Sequence, residues 1–76
     1  MNKQRRKRIE KAVALIEQAK EIIEEVKDEE DEAYYNLPES FQNGERGETM
    51  RAAVDSMETA FGELEEAVSN LEEATE

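Results

Sequence analysis

From Met50 onward, the large apolar residues are Met50, Val54, Met57, Phe61, Leu64, Val68 and Leu71, in steps that alternate between four and three. That spacing keeps one stripe of a long helix turned toward a neighbouring helix, and it defines a heptad seam. Val54, Phe61 and Val68 take position a, and Met50, Met57, Leu64 and Leu71 take d. Ala53, Ala60, Ala67 and Ala74 then share position g, while Glu58, Glu65 and Glu72 share e. One flank of the seam is small and the other is acidic. The first half of the chain repeats the pattern through Ile9, Ala12, Ile16, Ala19, Ile23, Val26, Ala33 and Leu37, with one break at Glu30. There the e column reads Val13, Lys20, Lys27, and the g column contains Leu15 and Ile22.

Set antiparallel, e faces e and g faces g. Lys20 and Lys27 then meet the column of Glu58, Glu65 and Glu72, and Leu15 and Ile22 meet the column of alanines. Opposite charge fixes the orientation, and large against small permits a close approach. Pairing Ile16 with Leu71, Ala19 with Val68 and Val26 with Phe61 puts the midpoint of the hairpin between Asn43 and Gly44, the strongest turn dipeptide in the chain. The pattern therefore predicts one all-α domain over residues 1–76, an antiparallel helical hairpin. Helix one runs from about 4 to 35, a bend occupies 36–45 with a short helical turn around 37–42, and helix two runs from about 46 to 74. Asn36 is expected to cap the short turn, with Pro38 early in it, and Gly44 and Gly47 to loosen the chain beyond it.

Composition sharpens this picture. A single core from 76 residues is marginal without a staple or a partner. The chain lacks cysteine, so no disulfide or thiolate metal site can serve as the staple, and it lacks histidine, the usual general base. The apolar surface of helix one is wider than one seam, because Val13, Leu15 and Ile22 extend it on both sides. Two hairpins paired as a homodimeric four-helix bundle would cover that surface. No apolar run is long enough to span a bilayer, and the basic start lacks the apolar stretch of a secretion signal, so the expectation is a cytoplasmic protein with no membrane contact.

The net charge of −11 is unevenly distributed: residues 1 to 11 carry six basic side chains against Glu10, and the rest of the chain carries 4 basic against 20 acidic ones. The stretch "KQRRKR" could meet phosphates, but a strongly anionic molecule would oppose it, and a simpler reading pairs it with Glu72, Glu73 and Glu76 at the far end of the hairpin. Carboxylate pairs in "EIIEEVKDEEDE", Glu21 with Glu24 and Glu25 with Asp28, have the spacing of the E-x-x-E and E-x-x-D pairs that hold magnesium in all-α nucleotide pyrophosphohydrolases. The heptad nonetheless puts all of them on the solvent face, with no basic phosphate ligands nearby. A nucleotide hydrolase is thus the weakest reading, and neither a catalytic residue nor a cofactor is expected. The rows of carboxylates could instead imitate a phosphate backbone and occupy the basic groove of a nucleic-acid enzyme. Glu58, Glu65, Glu66, Glu72 and Glu73 and the Glu24 to Glu32 run would form that face.

The segment "NLPESFQNGERGETM", followed by alanine-rich acidic heptads, resembles a type of small protein from bacteriophages and mobile elements of Gram-positive bacteria. The resemblance lies in Leu37 to Ser40, Gln42, and Glu45 to Glu48. It implies an origin and no activity. The sequence as a whole points to a small acidic, non-enzymatic protein–protein interaction or accessory protein. Ile16, Ile23, Val26, Val54, Met57, Phe61, Leu64, Val68 and Leu71 form its assembly seam. Tyr34, Tyr35, Phe41, Glu65, Glu66, Glu72 and Glu73 are the candidate surface for an external protein partner, although for the bend aromatics capping the open end of the core is the stronger reading.

Overall fold

A computed structural model describes residues 1–76 as three helices, α1 (Lys3–Tyr35), α2 (Glu39–Gln42) and α3 (Glu45–Ala74), with α1 packed along α3. There are no strands. The molecule is a rod of 58 × 15 × 12 Å with a radius of gyration of 17.3 Å, against about 11 Å for a compact domain of this length. Each long helix can therefore bury only a stripe. Val68 is the one buried apolar residue, and even it remains 9% exposed.

Local signals explain the helix ends. Asn2 caps α1, its side chain accepting from the Arg5 backbone N–H at 2.8 Å. The cap matters here because the basic first turn opposes the helix macrodipole. Asn36 closes α1, with its own N–H donating to the Glu32 carbonyl. It does not start the short helix, as the sequence suggested. Pro38 takes that N-cap position, with extended backbone, and makes no side-chain cap. Asn43 then ends α2 and Gly44 begins α3, whose first turn carries Glu45 and Glu48, favourably placed for its dipole.

On α3 the seam lies where the heptad puts it: Met50, Val54, Met57, Phe61, Leu64 and Leu71 are half-buried, with Val68 deepest. On α1 the expected stripe holds only through Ile9, Ala12, Ile16, Ala19 and Ile23. Val26 is 46% exposed and Ala33 is also exposed, while Lys27 and Tyr34 turn inward in their place, and Glu30 is half-buried at its position on the stripe. Val26 is thus not a seam residue. Along α1 the face toward α3 covers positions a, d and e at first and narrows to a and e past Ile23, while α3 keeps its a/d seam throughout. The g column lies outside that face along the whole helix. Leu15 (57% exposed) and Ile22 (60%) do not reach cover beneath the α3 alanines.

The bend is held by two features that turn propensities do not reveal. The Gln42 side-chain amide donates to the Leu37 carbonyl at 2.9 Å and to the Tyr35 carbonyl at 3.4 Å, tying α2 to the end of α1. Gly47, far from loosening the chain, is buried in the first turns of α3, and a Cβ there would lie 2.0 Å from the Gln42 carbonyl oxygen. Its backbone torsions are ordinary, so the requirement is for space. Gly62 differs, with nothing within 4 Å of the place a Cβ would occupy.

Gly47→Ala should cost about 1–3 kcal/mol by forcing α2 off α3, read as a fall in thermal midpoint with helicity at low temperature nearly unchanged. Gly62→Ala should stabilise α3 by about 0.8–1 kcal/mol, the helix-propensity difference. A lower midpoint for Gly62→Ala would contradict the open environment at that site.

Candidate interaction surfaces

The seam between α1 and α3 is closed along one flank by cations at heptad spacing. Lys20 Nζ lies 5.1 Å from the centroid of the Phe61 ring, 3.9 Å from a Glu65 carboxylate oxygen and 3.6 Å from Glu17. One heptad on, Lys27 Nζ lies 3.8 Å from Glu58 and 3.9 Å from Asp28. One heptad further, the guanidinium of Arg51 sits 5.9 Å from the Tyr34 ring centroid, completing the flank from the opposite helix. The antiparallel match of lysine and glutamate columns is therefore realised. Each exposed pair contributes about 0.2–1 kcal/mol. The lysine stems add cover, since the Lys20 side chain is only 14% exposed and that of Lys27 28%.

The seam residues named from the sequence are thus half-buried, with Val68 buried and Val26 exposed. Of the bend aromatics, only Tyr34 turns inward: it is half-buried, stacked edge-on against Tyr35 at 5.2 Å and covered by Arg51. It caps this end of the seam. Tyr35 and Phe41 are mostly exposed. Among the candidate acidic residues, Glu65 is tied to Lys20, whereas Glu66, Glu72 and Glu73 are exposed and form no ion pair.

The basic stretch behaves differently from the expectation. All four ion pairs in the structure involve Lys20 or Lys27, and none joins residues 3–11 to Glu72, Glu73 or Glu76. Arg8 and Lys11 are exposed and unpaired. Carboxylates of the Glu21 to Asp28 run are exposed as well, and nowhere do three acidic side chains converge closely enough to hold a metal ion. The surface has only open depressions. One, between the long helices, is lined by Ile23, Glu24, Lys27, Glu58 and Phe61. Another near the far end is lined by Ile9, Val13, Leu71 and Thr75 among others, and Val13 is half-buried there.

The extra apolar surface expected on helix one lies on the outer side of α1 at Leu15 and Ile22, joined by Val26, whereas Val13 is half-buried. Leu15, Ile22 and Val26 are all exposed there, and α3 exposes no large apolar residue at all. The signal was present in the g column, but only the rotation of α1 decides that this column faces water. No helix is long and apolar enough to cross a membrane. No protein-family model, curated protein or solved structure matches the chain.

Proposed function

We propose that this chain is a small acidic, non-enzymatic interaction protein, an accessory module that acts by binding other proteins and that first binds a second copy of itself. The observation that carries this reading is the exposed apolar column of Leu15, Ile22 and Val26 on the outer side of α1, apart from the exposed Met1 at the chain start and Tyr35 and Phe41 at the bend. Three large apolar residues left wet on one helix face mark a contact surface. The slender α1–α3 seam supplies a reason for pairing, since two helices alone bury too little to be robust. Two hairpins joined through α1 make a four-helix assembly with the column inside. An origin in a phage or mobile element rests on the Leu37–Ser40, Gln42 and Glu45–Glu48 resemblance.

A second reading is favoured by Glu66, Glu72 and Glu73, which are exposed and unpaired on α3. Together with Glu65 they could occupy a basic groove in place of nucleic acid. Salt would weaken such a complex strongly.

Two measurements separate these readings. Sedimentation equilibrium from micromolar to near-millimolar chain, with circular dichroism on the same samples, should give a helical dimer. Ile22→Lys should then convert it to a monomer that keeps its helicity at the upper concentrations, because Ile22 contributes little to the intrachain seam. A dimer indifferent to Ile22→Lys would remove the α1 column as the contact face. For the second reading, replacing Glu65, Glu66, Glu72 and Glu73 with glutamine should abolish displacement of duplex DNA from a basic DNA-binding protein. Absence of displacement by the unaltered chain would end that idea.

A further inference from the structure

The outer face of α1 is more than an apolar column. Arg8, Lys11, Leu15, Ile22, Glu29 and Glu32 fall on one stripe, with Gln18 and Glu25 completing an unbroken alternation of three and four. It is a second heptad seam, at positions c and g, about a third of a turn around the helix from the face that meets α3. Every residue on it is exposed, and none takes part in an ion pair. Along its length it reads basic, then apolar and neutral, then acidic.

That order is self-complementary under a two-fold axis. Laid antiparallel on itself with the axis between Gln18 and Ile22, the stripe brings Lys11 opposite Glu29 of the second copy and Arg8 opposite Glu32. Gln18 falls opposite Ile22, and Leu15 lies against the second copy's Val26 and the stem of its Glu25. Each pairing occurs twice, as an isologous interface requires. A parallel arrangement would set Arg8 and Lys11 on their own copies, and Glu29 and Glu32 on theirs, which is repulsive throughout. The outer faces of α3 offer no large apolar residue to either arrangement.

The macrodipole supports the same occupant. α1 has no acidic residue in its first turn and no basic residue in its last. Its charges thus run against its own dipole, basic where acids are favoured and acidic where bases are favoured. An antiparallel second copy places an acidic C-terminal half beside each basic N-terminal half and reverses the penalty at both ends.

We propose that the c/g stripe of α1 is a homodimer interface in which two copies pack antiparallel, α1 against α1, with Lys11–Glu29 and Arg8–Glu32 as reciprocal charge pairs. This rests on the reading of the chain as an interaction protein and adds its partner, orientation and register. The test uses the full chain in sedimentation equilibrium at low ionic strength, with circular dichroism as the control for folding. Lys11→Glu and Glu29→Lys should each weaken the dimer by about tenfold or more, since attraction becomes repulsion at two symmetric places. The doubly substituted chain should recover it to within about threefold, and an equimolar mixture of the two single variants should form a heterodimer, because the pairs are then restored across the axis.

The sign of the Glu29→Lys effect is decisive. That change lowers the net negative charge of the chain, so general repulsion between acidic molecules predicts tighter association, while the reciprocal pairing predicts weaker association. Tighter or unchanged association of Glu29→Lys, or no recovery in the double variant and the mixture, overturns the antiparallel pairing. If Ile22→Lys still dissociates the dimer in that case, the α1 column remains a contact face and only its orientation is wrong. A chain that stays monomeric at every concentration overturns self-association altogether.

Discussion

Everything in this molecule depends on a single strip of contact between α1 and α3. A helix with only one neighbour leaves most of its surface in solvent, so no side chain can be enclosed from all directions. Val68 is the nearest approach, and it is still not sealed. The usual source of stability, full burial of large apolar residues, is thus confined to partial burial of many. Long helices compensate by extending the strip over the whole length of the chain.

Such a strip is wet at both edges, and its chemistry reflects this. On one edge Lys20, Lys27 and Arg51 act as covers more than as charges, their stems or planes lying on Phe61, the seam and Tyr34. The ion pairs to Glu65 and Glu58 are long and half-solvated. Their main effect is to make the antiparallel order of the two helices unambiguous. On the other edge the structure has no such cover. Leu15, Ile22 and Val26 stay in water, and the helix that carries them bears oppositely charged ends outside its own seam. The asymmetry between the two edges is the ground on which self-association is proposed.

At the bend the constraint is steric. Two long helices can return on themselves in register only if the short α2 sits tightly against the start of α3 and is anchored to the end of α1. Gly47 provides the space and Gln42 the anchor. This gives a physical content to the "LPESFQNGERGE" segment: Pro38 opens the turn, Gln42 ties it back, and Gly47 lets the backbones meet.

By itself the sequence determined the two long helices, the position of the bend, the antiparallel order and the lysine–glutamate matching, because periodicity and charge are local properties that repeat along each helix. It placed Val54, Phe61, Leu64 and Val68 inward correctly, since the α3 seam is strictly heptad. Only the tertiary structure decided where the contact face of α1 runs. A single neighbour covers a stripe narrower than the apolar columns of α1, with position e half-buried throughout and d losing cover past Ile23, so Lys27 and Tyr34 replace Val26 and Ala33, and Leu15 and Ile22 lie in water. It also decided that Gly47 is a close-approach residue, because space beside a backbone depends on a segment that the glycine's own neighbours do not specify. That Leu15 and Ile22 exceed one seam was legible in the sequence, but that Val13 is half-buried and Val26 joins the exposed face was not, because a heptad column states spacing and the rotation of the helix about its axis states exposure.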